Sequence, residues 1–140
     1  MRHLLSMLSL FAVLTGLAGC GRTDGTYPVS GMVTFDGEAL PEGDILFIPE
    51  RTDLPREGGK IQNGKFSFQA RLGKKRVEVR ASRPDPKVKG PNGEPMYVDY
   101  LPAAYNTHST LTAEVTADGP NEFRFPLLSK STPPDGAGKK

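Results

Sequence analysis

The fold of this chain is decided by the stretch Gly59-Lys60-Ile61-Gln62-Asn63-Gly64-Lys65-Phe66-Ser67-Phe68. Asn-Gly between strands is a strong signal for a two-residue hairpin turn, because both central positions of a type I′ turn need a positive φ. Phe66 and Phe68 are two residues apart, which places them on one face of a strand. The stretch therefore predicts a β-hairpin whose second strand directs both phenylalanines into a core.

The same two-residue alternation recurs along most of the chain. It runs through Val29, Gly31, Val33 and Phe35; Val77, Val79 and Ala81; Leu111, Ala113 and Val115; and Phe123, Phe125 and Leu127. The continuous apolar run Ile45-Leu46-Phe47-Ile48 predicts a strand covered on both faces. We count about seven strands and no amphipathic helix. The sequence thus predicts an all-β fold, a β-sandwich of about seven strands.

Two segments between these strands lack a clear period. Residues 84–95 are rich in Pro, Gly and Lys, and we predict a long loop there. Residues 97–106 follow with weak periodicity and predict an irregular crossing with one short helical turn.

The chain begins with Arg2 and His3, continues with an apolar run over residues 4–16, and reaches Leu17-Ala18-Gly19-Cys20. A basic start, a short apolar stretch and small residues before a cut are typical of a secretory signal peptide. The run is too short to span a bilayer comfortably, which takes about 20 apolar residues. We therefore predict a signal peptide over residues 1–19.

Leu17-Ala18-Gly19-Cys20 resembles the lipobox of bacterial lipoproteins. The resemblance implies that the chain is cut before Cys20 and that the Cys20 thiol carries the lipid, a fatty acyl anchor such as palmitate. In lipoproteins with a membrane-sorting rule, an Asp after the cysteine retains the protein at the inner membrane. Gly21 stands there instead, which favours the outer membrane, with the domain facing the periplasm or the cell surface. The alternative is an ordinary signal peptide cut near a chance cysteine.

The remaining chain divides into three parts by composition. Residues 20–26 predict a flexible tether, residues 27–128 one domain, and residues 129–140 a disordered tail. Cys20 is the only cysteine, so the domain must be stabilised by apolar packing without a disulfide. The formal net charge of the chain is only +2, which argues against a nucleic-acid partner.

Three segments resemble the carboxypeptidase regulatory-like domain, a β-sandwich of the transthyretin type. They are residues 29–43, with the strand that leads into Asp36-Gly37; residues 63–68, the Asn-Gly hairpin; and residues 72–79, the strand after Leu72-Gly73. The family's tyrosine in the last motif is absent here. The resemblance implies a folding, docking or adhesion module without catalytic residues of its own.

The sequence offers little for catalysis. His108 is the only histidine after residue 19, its neighbour is Ser109, and no Gly-x-Ser-x-Gly turn is present. The chain lacks the Cys and His ligands of a zinc site, and its Asp-Gly pairs lack the spaced acids of a calcium loop. We therefore expect no enzyme activity, no metal and no cofactor.

The sequence offers two candidate binding surfaces. Tyr97, Tyr100 and Tyr105, together with Asp99 and Asn106, could form an aromatic and polar platform for a sugar, or the tyrosines could pack over an open end of the sandwich. A second candidate is the basic strand face with Lys74, Arg76 and Arg80, continued by Arg83, Lys87 and Lys89. It could meet acidic glycans or lipid headgroups, or be a solvated face interrupted by Glu78.

From these residues we expect a lipid-anchored, non-enzymatic lipoprotein of the cell envelope. It would be a binding or structural module, with the membrane as one partner through Cys20 and an envelope protein or a glycan as another. A carbohydrate-binding module that uses the segment Tyr97–Tyr105 is the first alternative. A transthyretin-like hydrolase is the second, although the chain lacks the histidine-rich site and the C-terminal Ser motif of such enzymes.

Overall fold

The computed structural model describes residues 25–130, and these residues form an all-β structure. They contain ten strands and a single 3₁₀ turn at Ala103–Tyr105. The strands are β1 (Thr26–Phe35), β2 (Glu38–Ala39), β3 (Glu42–Pro49), β4 (Glu57–Gln62), β5 (Lys65–Arg71), β6 (Gly73–Arg80), β7 (Ser82–Lys89), β8 (Pro95–Asp99), β9 (Thr112–Val115) and β10 (Asn121–Leu127).

Most strands belong to one curled sheet in the order β10-β1-β5-β4-β3-β6-β9, with β2 paired to the end of β1. All seven strands that the sequence predicts are in this sheet. Neighbours run antiparallel except β1 and β10, the first and last strands, which lie side by side in parallel. The strands β7 and β8 form a separate two-stranded sheet.

The Asn63-Gly64 hairpin joins two parts of the curled sheet. Asn63 has φ 50° and Gly64 has φ 78°, so both turn residues are in the positive region that the sequence predicts. Beyond the turn, β4 and β5 share only one ladder pair, Gln62 with Lys65. The sheet therefore bends at this hairpin, with β10, β1 and β5 on one side and β4, β3, β6 and β9 on the other.

The core lies inside the curl. Phe47 of β3 packs edge-on against Phe68 of β5 and Phe123 of β10, with ring centroids 5.0 and 5.6 Å apart. Such edge-to-face contacts are favourable beyond the burial of the rings. The alternating faces predicted from the sequence are confirmed, because their apolar residues are buried or pack against the core. Of the run Ile45–Ile48, only Ile45 and Phe47 are buried, whereas Leu46 and Ile48 are half-buried, so the prediction that both faces are covered was wrong.

Gly31 shows how closely the strands approach in one place. A Cβ atom on Gly31 would lie 2.1 Å from the backbone oxygen of Phe123, in the neighbouring strand β10. A side chain there would force β1 and β10 apart, so this position of the predicted first strand requires glycine.

The curled sheet has two ends, which we name by the ends of β1. At the Thr26 end, β1 starts beside Arg71 of β5, and the turn from β5 to β6 follows directly. At the Phe35 end, β1 finishes beside Leu127 of β10. The strand β3 starts at the Phe35 end, because Glu42 pairs with Gln62, and it finishes at the Thr26 end, where Pro49 pairs with Lys75.

The Thr26 end contains a group of three charges, two of which are buried. Lys75 lies on the inward face of β6, two residues before Val77, and its side chain is only 1% exposed. Its Nζ lies 3.6 Å from Oε2 of Glu57, whose other oxygen accepts a hydrogen bond of 2.6 Å from Nη1 of Arg71. A charge this deep is stable only when it is paired, so Glu57 holds both cations in place.

The segment between β8 and β9 covers the Phe35 end. Leu101 and Tyr105 are buried there, and the Tyr105 hydroxyl accepts a hydrogen bond of 3.0 Å from the backbone N–H of Leu128. Ser109 is also buried, and its hydroxyl donates to the backbone oxygen of Val77 in β6. The irregular crossing with one helical turn that the sequence predicts is found over residues 100–111, although residues 97–99 belong to β8.

The prediction of a long loop over residues 84–95 was wrong. Ser82–Lys89 and Pro95–Asp99 pair as an antiparallel hairpin, with the turn between them at residues 90–94. Proline is tolerated because each strand of a two-stranded ribbon needs hydrogen bonds on one side only. Nearly all side chains of this hairpin are exposed, and none belongs to the core.

Candidate binding cleft at the Phe35 end

The structure separates the five residues of the predicted sugar platform. Tyr105 is 9% exposed and Asn106 6%, so neither offers a face to a ligand. The amide oxygen of Asn106 accepts a hydrogen bond of 2.6 Å from the backbone N–H of Thr107. These two residues help to close the Phe35 end.

Tyr100 also belongs mainly to the cover of this end. Its ring is half-buried and meets Phe35 edge-on, with centroids 5.8 Å apart. The Arg83 guanidinium lies 5.1 Å from the centre of the same ring, a distance typical of a cation–π contact. The ring therefore has partners within the domain, as in the alternative in which the tyrosines pack over an open end.

Tyr97 and Asp99 remain together at the surface. Tyr97 is 71% exposed, more than any other large apolar side chain of residues 25–130. Both residues are on β8 and line a cleft of about 470 Å³ between the β7–β8 hairpin and the start of β3. The other lining residues are Glu42, Gly43, Asp44, Lys60, Arg80, Ala81 and Ser82.

The charges in the cleft are partly paired. Lys60 Nζ lies 2.7 Å from Oδ1 of Asp44, and the hydrogen bond and charge of Asp44 raise the pKa of Lys60 above its ordinary value near 10.5. Arg80 reaches Asp99 at 4.0 Å. Glu42 forms no ion pair within residues 25–130. The cleft therefore combines one open aromatic ring with carboxylate acceptors and ammonium and guanidinium donors, which suits a hydroxyl-rich ligand.

A second concave surface lies on the outer face of β10, β1 and β5. It is a trough of about 1140 Å³ that also extends to Lys60 and Gln62 of β4. The strand register places Met32 between Arg124 and Lys65, and no ion pair of these two cations is found among residues 25–130. The trough is wide and shallow, with single cations at its sides, and it includes none of the residues predicted to bind.

The predicted basic face of β6 is less basic than it looks in the sequence. Glu78 lies between Arg76 and Arg80, and its oxygens are 2.6 and 3.5 Å from their guanidinium groups. The Glu78 side chain is only 8% exposed, so the two arginines fold over it. Arg83 contacts Tyr100, while Lys87 and Lys89 are exposed on the hairpin. Of the stripe, Lys74, Arg83 and the two hairpin lysines are exposed to solvent.

His108 and Ser109 point to different surroundings. His108 is exposed, whereas the buried Ser109 hydroxyl is occupied by Val77 and by the backbone N–H of Leu111 at 3.2 Å. Nowhere in residues 25–130 do three or more His, Asp or Glu side chains gather as metal ligands would. This part of the chain also has no helix that is long and apolar enough to cross a membrane.

Cys20, the signal peptide of residues 1–19 and most of the predicted tether and tail lie outside the described residues. Sequence reasoning missed Glu42 and Asp44, which complete the cleft. The sequence contains a signal for both residues, because they flank the inward-facing Gly43 and therefore point outward from β3. That signal alone does not identify the cleft, because the sequence predicts a loop over residues 84–95, where the structure has the β7–β8 hairpin that forms the opposite wall.

Comparison with known proteins gives no match of any of three kinds. The chain matches no protein-family model, no curated protein and no solved structure.

Proposed function

We propose that this chain is a lipid-anchored, non-enzymatic binding module of a bacterial cell envelope. The observation that carries the proposal is Cys20 at the end of an apolar leader, five positions before the first described residue, Gly25. The domain's core is formed entirely by residues 27–127, with no disulfide to complete it. The leader would export the chain, and the acylated Cys20 would hold it at the membrane, with Gly21 favouring the outer membrane.

For the fold we propose a β-sandwich of the carboxypeptidase regulatory-like type. The single ladder pair between β4 and β5 supports two layers, β10-β1-β5 and β4-β3-β6-β9. Phe47 of one layer packs between Phe68 and Phe123 of the other, as facing sheets require. The Asn63-Gly64 motif that carries the resemblance is the turn where the two layers join.

The positions of the anchor and the cleft support a display role. Cys20 precedes the Thr26 end, and the cleft with Tyr97 lies at the Phe35 end. A strand of ten residues such as β1 is about 33 Å long at about 3.3 Å per residue. An anchored domain would therefore hold its cleft away from the membrane, towards an envelope protein or a glycan.

The anchor is tested with Cys20→Ser in cells that process lipoproteins. The variant should move from the membrane fraction to the soluble fraction and lose labelling by a fatty-acid analogue. Thr23→Ser is the matched control, because it alters the same short segment and keeps the thiol. If Cys20→Ser fractionates with membranes and takes up label as the control does, the proposed anchor is wrong.

Carbohydrate binding is a second candidate, and the exposed Tyr97 beside Asp99 and Glu42 favours it. Aromatic rings stack on the apolar faces of sugars, and carboxylates accept hydrogen bonds from their hydroxyls. Residues 21–140 would be applied to a glycan array with Tyr97→Ala and, as control, Met96→Ala. Met96 is 47% exposed on the same strand but does not line the cleft. Binding that only Tyr97→Ala abolishes supports this candidate, and absence of binding by the parent chain contradicts it.

A further inference from the structure

The Thr26 end has an apolar side chain at its tip. Leu72 sits in the turn between β5 and β6 and is 45% exposed. Gly73 follows with φ +105°, a backbone conformation that favours glycine and lets the turn stay tight. Leu72 is therefore held out from the sheet at the end where β1 begins.

Further apolar groups surround a hollow at the same end of the sheet, where Tyr27 pairs with Ala70 of β5. This hollow of about 250 Å³ is lined mainly by carbon atoms, and its lining includes Tyr27, Pro28, Ala117 and Pro120. Pro28, Ala117 and Pro120 are exposed. The end of the domain nearest Cys20 thus presents a carbon-rich surface to its surroundings.

The turn is held firmly at its base. The Arg71 backbone N–H donates to Glu57 Oε2 at 2.9 Å, in addition to the side-chain bond from Arg71 to the same carboxylate. Lys75 on the other side of the turn contacts that carboxylate as well. The buried charges therefore fix both strands that carry Leu72, which keeps the cost of ordering the turn on contact low.

The charges at this end largely balance. Arg71 and Lys75 share Glu57, Arg51 pairs with Asp53 at 2.6 Å, and Lys74 faces Glu114 across the β6–β9 ladder. Such a surface has little attraction for a strongly acidic or basic protein. It suits the headgroup region of a bilayer, where apolar and polar groups mix.

Chain length restricts how far this end can move from an anchored Cys20. Only residues 21–24 separate Cys20 from Gly25. At about 3.5 Å per residue, even a fully extended link reaches roughly 18 Å. Because β1 begins directly after Gly25, such a link keeps the Thr26 end close to an anchored Cys20.

We propose that the Thr26 end rests on the membrane, with Leu72 inserted among the lipid headgroups. The inference rests on the proposed lipid anchor. It adds a second contact, which fixes the orientation of the domain and turns the Tyr97 cleft away from the bilayer. The exposed part of one leucine gives only a weak contact, which is sufficient for a domain that is already tethered.

The chain contains no Trp and one Cys, so the orientation can be measured directly. Residues 20–140 are coupled through the Cys20 thiol to maleimide lipids in phosphatidylcholine vesicles. Leu72→Trp is compared with Leu128→Trp, its matched control, because Leu128 is 53% exposed at the Phe35 end. Brominated phosphatidylcholine quenches only tryptophans that reach the bilayer.

We expect Leu72→Trp to lose emission at least twofold on brominated lipid and Leu128→Trp to stay unchanged. The quenching should not require phosphatidylglycerol, since the charges at the Thr26 end balance. Equal quenching of the two variants, no quenching of either, or quenching only with phosphatidylglycerol would overturn the proposal. The coupling is chemical, so a failure here is separate from a failure of acylation in cells, which Cys20→Ser fractionation reports.

Discussion

The two ends of the curled sheet are closed in different ways. At the Thr26 end the turn from β5 to β6 is short, and an ion group lies there in which Glu57 and Lys75 are buried and Arg71 is partly exposed. At the Phe35 end a long segment over residues 100–111 folds back over the core and carries the buried Tyr105.

The two ends differ in that one contains the ion group and the other contains the cleft. The ion group connects β4, β5 and β6, and its three charged side chains are paired with one another. The covering segment lets the chain extend into the β7–β8 hairpin before it returns, and that hairpin provides one wall of the cleft. The Thr26 end therefore holds the strands of the sheet together through charges, whereas the Phe35 end presents the cleft.

The largest effect is expected from removing the carboxylate at the Thr26 end. Glu57→Ala leaves the buried Lys75 without its counter-charge, which should cost about 3–5 kcal/mol in the free energy of unfolding. Urea denaturation of residues 21–140 measures it. The double variant Glu57→Met with Lys75→Met should recover most of the loss, because it removes both charges. A single variant as stable as the parent would show that the ion group does not hold this end.

At the Phe35 end, removal of a single side-chain group should lower the free energy of unfolding by less. Tyr105→Phe keeps the buried ring and removes the hydroxyl that accepts from the Leu128 N–H. We expect a loss of about 1 kcal/mol, the usual contribution of one hydrogen bond. Thermal unfolding compared with Tyr27→Phe provides the control, since no hydrogen bond of the Tyr27 hydroxyl is found within residues 25–130. A loss of stability as large as that of Glu57→Ala would show that both ends depend equally on a single side-chain group.

Removal of the hairpin should have a still smaller effect on stability. Arg83 pairs with Val98, so residues 84–97 can be replaced by Asn-Gly, which favours the two-residue turn needed there. No core residue lies in the segment removed, and we expect a change of about 0.5 kcal/mol or less. Urea denaturation gives the comparison. A large loss would mean that the hairpin supports the Phe35 end rather than only extending from it.

The smallest effect concerns the exposed pair Lys60 and Asp44 in the cleft. Asp44 raises the Lys60 pKa, so the pair favours the folded state below the ordinary lysine pKa near 10.5 and stops doing so as pH rises through the higher folded value. NMR titration should show Lys60 losing its proton at higher pH in the parent chain than in the Asp44→Asn variant. If Lys60 titrates at the same pH in both chains, the pair is not formed in solution.

Much of the sheet was predictable from local sequence. Asn63-Gly64 fixes the central turn through its backbone angles, and the alternation around Val29, Val77 and Phe125 identifies the faces that become buried. Both signals depend on neighbouring residues only, which is why they can be read from a single chain.

The cleft and the ion group were not predictable in the same way. The alternation through Val77 and Val79 already places Lys75 on the inward face, but nothing near it in the sequence shows that Glu57, 18 positions earlier, supplies the counter-charge. Similarly, Tyr97 meets Glu42 only because the hairpin folds back beside β3. Contacts between distant segments depend on the packing of the whole sheet.

The parallel pairing of β1 and β10 has a mechanical consequence. These strands are the first and last of the domain, and seven residue pairs join them, from Val29 with Asn121 to Phe35 with Leu127. If Cys20 were fixed to a membrane and a partner pulled on the C-terminal side of Leu127, the two strands would be drawn in opposite directions along their length. The load would act on all the connecting hydrogen bonds together, so they could not open one after another, and the domain would resist unfolding under tension.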